Sequence, residues 1–583
     1  MTQSPFPARS EAEWRKAAEA ALKGAALDKL TCVTADAIRL GPLHAGRVGA
    51  RALRGAPGPW KALSRLDHPS PADFNAQAHE DIDNGADGLA LVFAGSGAAH
   101  GFGLARADSA SLHAAFDGLR FDAGHRFSLE IGDFAQAEAF AALVERSGEE
   151  TAHADIAFGL DPLGARARGG APARALKATA EALRQRGFVG PFAAADGRVV
   201  HAAGGTPAQE LAFSLSAGLA YLRRLEQPAW IEFRLAADAD EIATLAKFRA
   251  LRLLWGRTEE ACGLRPAPIR LAASSAWRMM SVAEPYVNGM RTTLAAFAAG
   301  LGGADDVTLL PFTQAIGLPD AFARRLARNA QLIELREARL GVVADPAAGA
   351  GAFELLTEGF CDKAWAQFQA IEAAGGLERA LDQGLVQQAV AEAAAALKRD
   401  IARGKAALTG VSAHPHLDAD RIAVLPDVAA PAAPSPPGAL APLRLSEPFE
   451  RLRARAERVA ACVFLAAIGP LSAHTRRVSF ARDIFEAGGV RAVVGSASED
   501  AAGLGAALRA SGATLACLCG ADEAYAEHAA PYAAALKAAG ARVYLAGRPG
   551  EREAGWRAAG VDGFLYAGMD IVAALEDALS RAD

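Results

Sequence analysis

The stretch Gly88 to Gly95, GLALVFAG, is a short apolar run bounded by glycines, and its reading decides the fold. It is too short for an amphipathic helix and suits a buried strand. The same signature recurs outward from it at RFSLEIGD (126–133), DIAFGL (155–160), WIEFRLA (230–236), PIRLAASSA (268–276) and DVTLLPF (306–312). Each run is followed by a segment of helical period, and strand–helix alternation implies a parallel sheet. Over roughly 350 residues, the commonest closed form of such a sheet is an eightfold (β/α) barrel of the TIM type, although fewer than eight strands can be counted.

A second series lies further on: VFLAAIG (463–469), VRAVVG (490–495), ATLACLCG (513–520), ARVYLAG (541–547) and GFLYAG (563–568). Five such units in so short a span predict a flavodoxin-like, doubly wound domain. Between the two series, LPDVAAPAAPSPPGALAPL (425–443) is rich in proline and alanine and lacks an apolar period, as a stiff connector would. The expected order is an arm over 1–45, the barrel over 46–400, a linker over 401–455 and the doubly wound domain over 456–583. In the arm, Ser10 and Glu13 have capping-box spacing, with Trp14, Ala18, Ala21 and Leu22 on one helical face and Gly24 as a stop. That helix either lies on a partner or packs on its own barrel.

The 583 residues are 51% hydrophobic and 22% charged, with a net charge of −6. Such a balance gives no pull toward nucleic acid or an anionic membrane. Six scattered cysteines read as reduced thiols. The start, MTQSPFPARSEAEWRK, has no apolar core, and the longest apolar stretch, near Ala460 to Leu471, is too short to span a bilayer. A cytoplasmic protein is expected.

Three motifs invite chemistry, and each has a plainer reading. The glycines of FAGSGAAHGFG (93–103) suggest a phosphate cradle, but Gly95, Gly97 and His100 miss the final glycine of the dinucleotide pattern. A barrel loop explains them. His414, His416, Asp418 and Asp420 form a possible metal cluster without a distant further ligand, so a solvated loop is expected. Cys517 and Cys519 stand two apart in a strand, on one face, as small core residues would. His474 follows the first strand of the second series, where open α/β sheets bind ligands.

KFRALRLLW (247–255) and GLPDAFARRLARNAQLIELRE (317–337) resemble signatures of the methylmalonyl-CoA mutase family, and AGGTPAQELAFSLSAG (203–218) and Asp345-Pro346 extend the similarity over nearly the whole chain. VFLAAIGPLSAHTRRVSFARDIFEAGG (463–489) and LCGADEAYAEHAAPYAAALKAAGARVYL (518–545) resemble the family's small subunits. The resemblance implies an acyl-CoA barrel and a cobalamin-type domain. In catalytic members adenosylcobalamin supplies the radical, and the protein supplies polar groups in the barrel and a histidine below cobalt.

Set against that pattern, this chain departs at its chemical positions. A tyrosine–histidine pair is replaced by Arg198 and Val199, and the segment carrying a catalytic tyrosine reads GAPGPWKALSR (55–65). Leu309, Leu310 and Pro311 replace polar acyl contacts, which implies an apolar, filled barrel that excludes substrate. Of the cobalamin fingerprint, Asp-x-His-x-x-Gly with a later Ser-x-Leu and Gly-Gly, the chain has Ser472, His474 and Arg477, then Cys519 and Ala521, then Ala546 and Gly547. His474 is the residual candidate ligand of cobalt. The resemblance therefore implies a small, non-catalytic subunit of a heterodimeric isomerase interconverting methylmalonyl-CoA and succinyl-CoA in propionate metabolism. Its catalytic residues and adenosylcobalamin are expected in a large partner subunit. The rival expectations are an active mutase that uses His474 and an acyl-CoA-binding regulator.

Overall fold

Eight strands make one parallel sheet in the computed structural model: Lys61–Leu66, Gly88–Val92, Arg126–Glu130, Ile156–Ala157, Ala193–Asp196, Ile231–Ala237, Arg270–Ser275 and Asp306–Thr308. The structure describes residues 9–50, 52–170, 175–420, 422–425, 436–495 and 501–580. The eighth strand pairs with the first, Val307 opposite Ala62. Between the fourth and fifth, Phe158 N–H donates to Pro191 and Leu160 N–H to Phe192, while Leu160 accepts from Ala194. These bonds bring the sheet close to a closed barrel.

Six of the strands coincide with the apolar runs; Lys61–Leu66 and Ala193–Asp196 do not. Only glycine fits at the start of the second strand, because a Cβ on Gly88 would lie 2.2 Å from the carbonyl oxygen of Arg126. Outside the ring, helix Pro207–Leu225 starts on a Thr206–Gln209 capping box with proline in its first turn, and ends where Glu226 turns left-handed. Helix Gly351–Ala373 lies across Pro207–Leu225 and the following Glu241–Ala261, burying Leu356, Phe360 and Phe368 against them.

The C-terminal sheet has five parallel strands, in spatial order Arg491–Val494, Cys462–Ala467, Leu515–Cys519, Arg542–Ala546 and Val561–Leu565. Numbered along the chain this is 2-1-3-4-5, the order of flavodoxin-like sheets, with apolar cores on both faces. Most of the proline-rich connector, 426–435, lies outside the described residues. Its last part lies across the barrel mouth, where Leu440 N–H donates to Ala167, Leu443 to Ala202 and Leu445 to Arg278.

Helix Glu11–Ala21 has the expected capping box, and none of its residues is buried. The chain behind it is tied to the barrel by Asp36, which accepts from the Thr206 hydroxyl and, at 3.2 Å, from the Ala208 amide. No helix of the described residues is long and apolar enough to cross a membrane.

Candidate functional site

The barrel interior is filled, but not by apolar groups. Charged residues two or four apart, on the strands or just past their ends, point inward together: Arg126 and Glu130, Asp196 and Arg198, Glu232 and Arg234, Arg65 and Asp67. They interlock as a column. Arg126 meets Asp155 at 2.7 Å and Glu232 at 2.8 Å, and Glu232 meets Arg234 at 2.6 Å. Arg234 reaches Glu130 at 3.2 Å, and Arg198 clamps both oxygens of Glu130 at 2.7 and 2.8 Å before pairing with Asp196 at 2.6 Å. The expectation of an apolar barrel is thus corrected: charges fill it, in alternating sign, so that each buried ion has an opposite neighbour. Leu310 touches the remaining space, whereas Leu309 and Pro311 pack outward beside Arg324 and Arg328.

Position along the column sets each carboxyl. Burial alone raises Glu130, but Arg198 and Arg234 outweigh it and hold the group at about 2. At the other end, burial lifts Asp306 to about 7, opposed by Arg126 and reinforced by Glu232. Arg198 occupies the place where the catalytic pattern would put an acyl-orienting pair, and a guanidinium exchanges no proton near neutral pH.

Above Arg198 about 80 Å³ of free space remains, lined by Arg65, His100, Trp277 and Leu440 among others. That is room for a few waters, against roughly 300–1,000 Å³ for a small-molecule pocket. The His100 ring stacks on Trp277 at 4.1 Å, with the Arg444 guanidinium 5.7 Å from the same indole. Burial, aided by the Arg65 and Arg198 charges, pulls His100 well below its ordinary value. His201 lies 3.1 Å from Asp238; burial, with Arg278 nearby, brings it down to about 4. The glycine-rich segment 93–103 is the loop after the second strand, where Arg65 donates to the Ala98 and Ala99 carbonyls. Beside the mouth, a cavity of about 390 Å³ is bordered by Phe134, Asp161, Arg168 and Asp196.

In the C-terminal sheet, His474 sits in the first turns of helix Leu471–Ala487, 8% exposed, with Nδ1 3.0 Å from the Gly469 carbonyl. Arg477, one turn on, crosses the carboxyl ends of the strands. It donates to the Ala546 carbonyl and pairs with Asp522 at 2.7 Å, over the Tyr525 ring. A Cβ on Gly547 would lie 2.5 Å from its Nη1. The Tyr525 hydroxyl, in turn, contacts the Leu518 and Ala546 carbonyls and the Gly520 amide at 2.9–3.0 Å. Cys517 and Cys519 are buried with sulfurs 4.0 Å apart, and burial raises the Cys517 thiol.

His416 lies 3.3 Å from Glu284 and Asp418 pairs with Arg491 at 2.7 Å, so these two of the four candidate ligands are engaged with different partners. Among the described residues no group of three or more potential metal ligands occurs. The sequence reading singled out Arg198, His474 and Arg477 but missed Arg126, Glu130, Glu232 and Arg234. Their signal was legible as charges at period two inside apolar strands.

Fold and site together define an α/β barrel chain with an appended parallel sheet, each with its ligand-facing end occupied by the chain's own arginines. Residues 193–429 match the family model described as Methylmalonyl-CoA mutase. The chain is 38% identical to the methylmalonyl-CoA mutase small subunit of Streptomyces virginiae, over 99% of this chain and 97% of the other. It is 39% identical to a probable small subunit of Mycobacterium bovis over 73% and 70%, and 35% identical to that of Propionibacterium freudenreichii subsp. shermanii over 76% and 72%. The chain belongs to the methylmalonyl-CoA mutase family.

Proposed function

We propose that this chain is the small, non-catalytic subunit of a heterodimeric, adenosylcobalamin-dependent methylmalonyl-CoA mutase. It serves propionate metabolism in the cytoplasm, and the substrate and cofactor sites lie in the large subunit. The observation that carries the reading is the bidentate Arg198–Glu130 pair closing the charged column under the barrel mouth. An acyl group would have to displace buried ions that already satisfy one another.

The C-terminal crevice does not fit cobalamin. Its nucleotide tail needs a close backbone approach where Arg477 now lies, and His474 has a carbonyl rather than a carboxylate beside Nδ1. The roles that remain are structural, with residues 46–400 and 456–583 as the two units and the arm reaching the partner. That no residue of helix Glu11–Ala21 is buried, with Trp14 and Ala18 only partly covered, supports that use of the arm. Replacing Trp14 by Ala is expected to weaken subunit affinity by about 2 kcal/mol, as loss of an aromatic anchor does; an unchanged dissociation constant removes the arm from the interface.

The deciding experiment is an optical cobalamin titration of the purified chain, with mutase assays before and after adding the large subunit. No binding and no activity alone, with activity in the pair, is expected. Stoichiometric binding with a His474-dependent spectrum would overturn the reading in favour of an active mutase. A second reading, an acyl-CoA-binding regulator, is favoured by the 390 Å³ side cavity, because Arg168 there makes no ion pair among the described residues. Calorimetric binding of an acyl-CoA to the chain alone would select it.

A further inference from the structure

The outer faces of the barrel helices are unequal. Lys177, Glu181 and Arg184 stand exposed on helix Leu176–Gln185, and Glu138, Glu145 and Arg146 on Phe134–Arg146. Helix Gly351–Ala373 covers the next two. Among the described residues nothing covers helix Pro285–Leu301 in this way, and over its 17 residues its exposed side chains are Tyr286, Met290, Thr293 and Leu294, without a charge. Its one charged residue, Arg291, is turned inward to the Thr409 carbonyl at 2.7 Å. The neighbouring helix Ala321–Leu332 and the turn after it add Phe322, Leu326 and Ile333.

Buried Phe312 joins the two rows, stacking on Tyr286 at 5.0 Å and meeting Phe322 edge-on at 6.1 Å. Exposure is 59% for Tyr286, 67% for Met290, 43% for Leu294 and Phe322, 42% for Leu326 and 52% for Ile333. Taking about 200 Å² for a large side chain, the six present about 600 Å² of apolar surface, at the top of the range for a patch on a monomer. With a polar rim this approaches the roughly 800 Å² per partner of a stable complex. The composition, aromatic and methionine residues at the centre with arginine beside them, is that of an interface core. Arg325 lies 5.5 Å from the Phe322 ring, and neither it nor exposed Arg339 makes an ion pair among the described residues.

The geometry points to this two-helix face as the surface on which the large mutase subunit docks, through an apolar patch of its own flanked by carboxylates that meet Arg325 and Arg339. The inference rests on the proposed role as a small subunit and adds where the pairing occurs.

The test measures binding of the full chain to the large subunit by biolayer interferometry. Met290→Glu with Leu326→Glu is expected to weaken binding at least 100-fold, while Val189→Glu, exposed on another side, changes it less than twofold. Arg325→Glu is expected to weaken it about tenfold at low salt and less at high salt. A second readout is independent of variant folding problems in the double mutant: maleimide labelling of Met290→Cys should fall at least tenfold in the complex.

Wild-type affinity in the double variant, or unprotected labelling, would overturn the face while leaving the small-subunit role intact. A homodimer of the chain alone that dissociates on Met290→Glu, with the large subunit still bound, would assign the face to a second copy instead. If the wild-type chain forms no complex with the large subunit, the small-subunit role itself fails and this inference with it.

Discussion

Arg198 in the barrel and Arg477 in the C-terminal sheet both stand at the carboxyl ends of parallel strands, where α/β proteins bind their ligands. Their surroundings differ. Arg198 is 15% exposed and its partners Glu130 and Asp196 are 11% exposed, within a column that continues down the barrel axis. Arg477 is 29% exposed and its carboxylate partner Asp522 is 78% exposed, so water competes for that pair. The barrel is closed by its interior, which cannot be opened without unbalancing buried charge. The crevice is closed from its rim, with the firmer part of the seal in the Tyr525 hydroxyl and its backbone bonds.

Cutting the column at its middle should produce the largest effect. Arg234→Met leaves Glu232 and Glu130 short of a partner in the interior, where Arg234 itself is 4% exposed. A loss of about 3–5 kcal/mol in urea unfolding is expected. A loss below about 1 kcal/mol would mean that the interior is wet and the contrast with the crevice unfounded.

The two ends of the column should also respond oppositely to pH. Asp306 holds its proton in the folded state up to about 7, against 3.8 for the ordinary carboxyl, so its contribution is fully present below 3.8 and is lost as pH rises through 7. Glu130 is held at about 2, so its contribution is present above 4.5 and is lost as pH falls toward 2. Asp306→Asn should flatten the decline of stability between pH 3.8 and 7 relative to wild type and leave the acid limb in place. Parallel stability curves for the two proteins would refute this.

In the crevice, Tyr525→Phe strips a hydroxyl that serves two carbonyls and an amide, and a loss of about 1–3 kcal/mol is expected on thermal or urea unfolding. Arg477→Ala should change stability by less than about 1 kcal/mol, given its exposed partner. If Arg477 proves the more costly deletion, the seal lies in the ion pair and not in the tyrosine. The smallest effect is expected from His474→Ala, which should leave mutase activity of the assembled complex nearly unchanged. Lost activity with assembly intact would give the histidine a chemical role.

Strand position was legible wherever a run was apolar enough to stand out. The two missed strands show the limit: AAAD at 193–196 consists mainly of the best helix former, and KALSRL at 61–66 mixes helix formers with charges. Both are strands because neighbours on either side complete their hydrogen bonds, a non-local cause that no window of sequence contains. The substitutions at 198, 472 and 477 were visible as departures from a family pattern. What replaced the lost chemistry was not visible, because Arg126 and Glu232 stand 106 positions apart in the chain and meet only across the barrel.

The sequence by itself determined the alternation of elements, the two parallel sheets and the family, since these follow from local periodicity and from motifs that survive as contiguous residues. Tertiary structure alone decided that the barrel is filled by paired charges, that the connector's last residues lie over its mouth, and that one two-helix face is apolar and uncovered among the described residues. Each of those depends on which side chains converge from distant strands, and buried charge is tolerable only where such convergence supplies a partner within hydrogen-bonding distance.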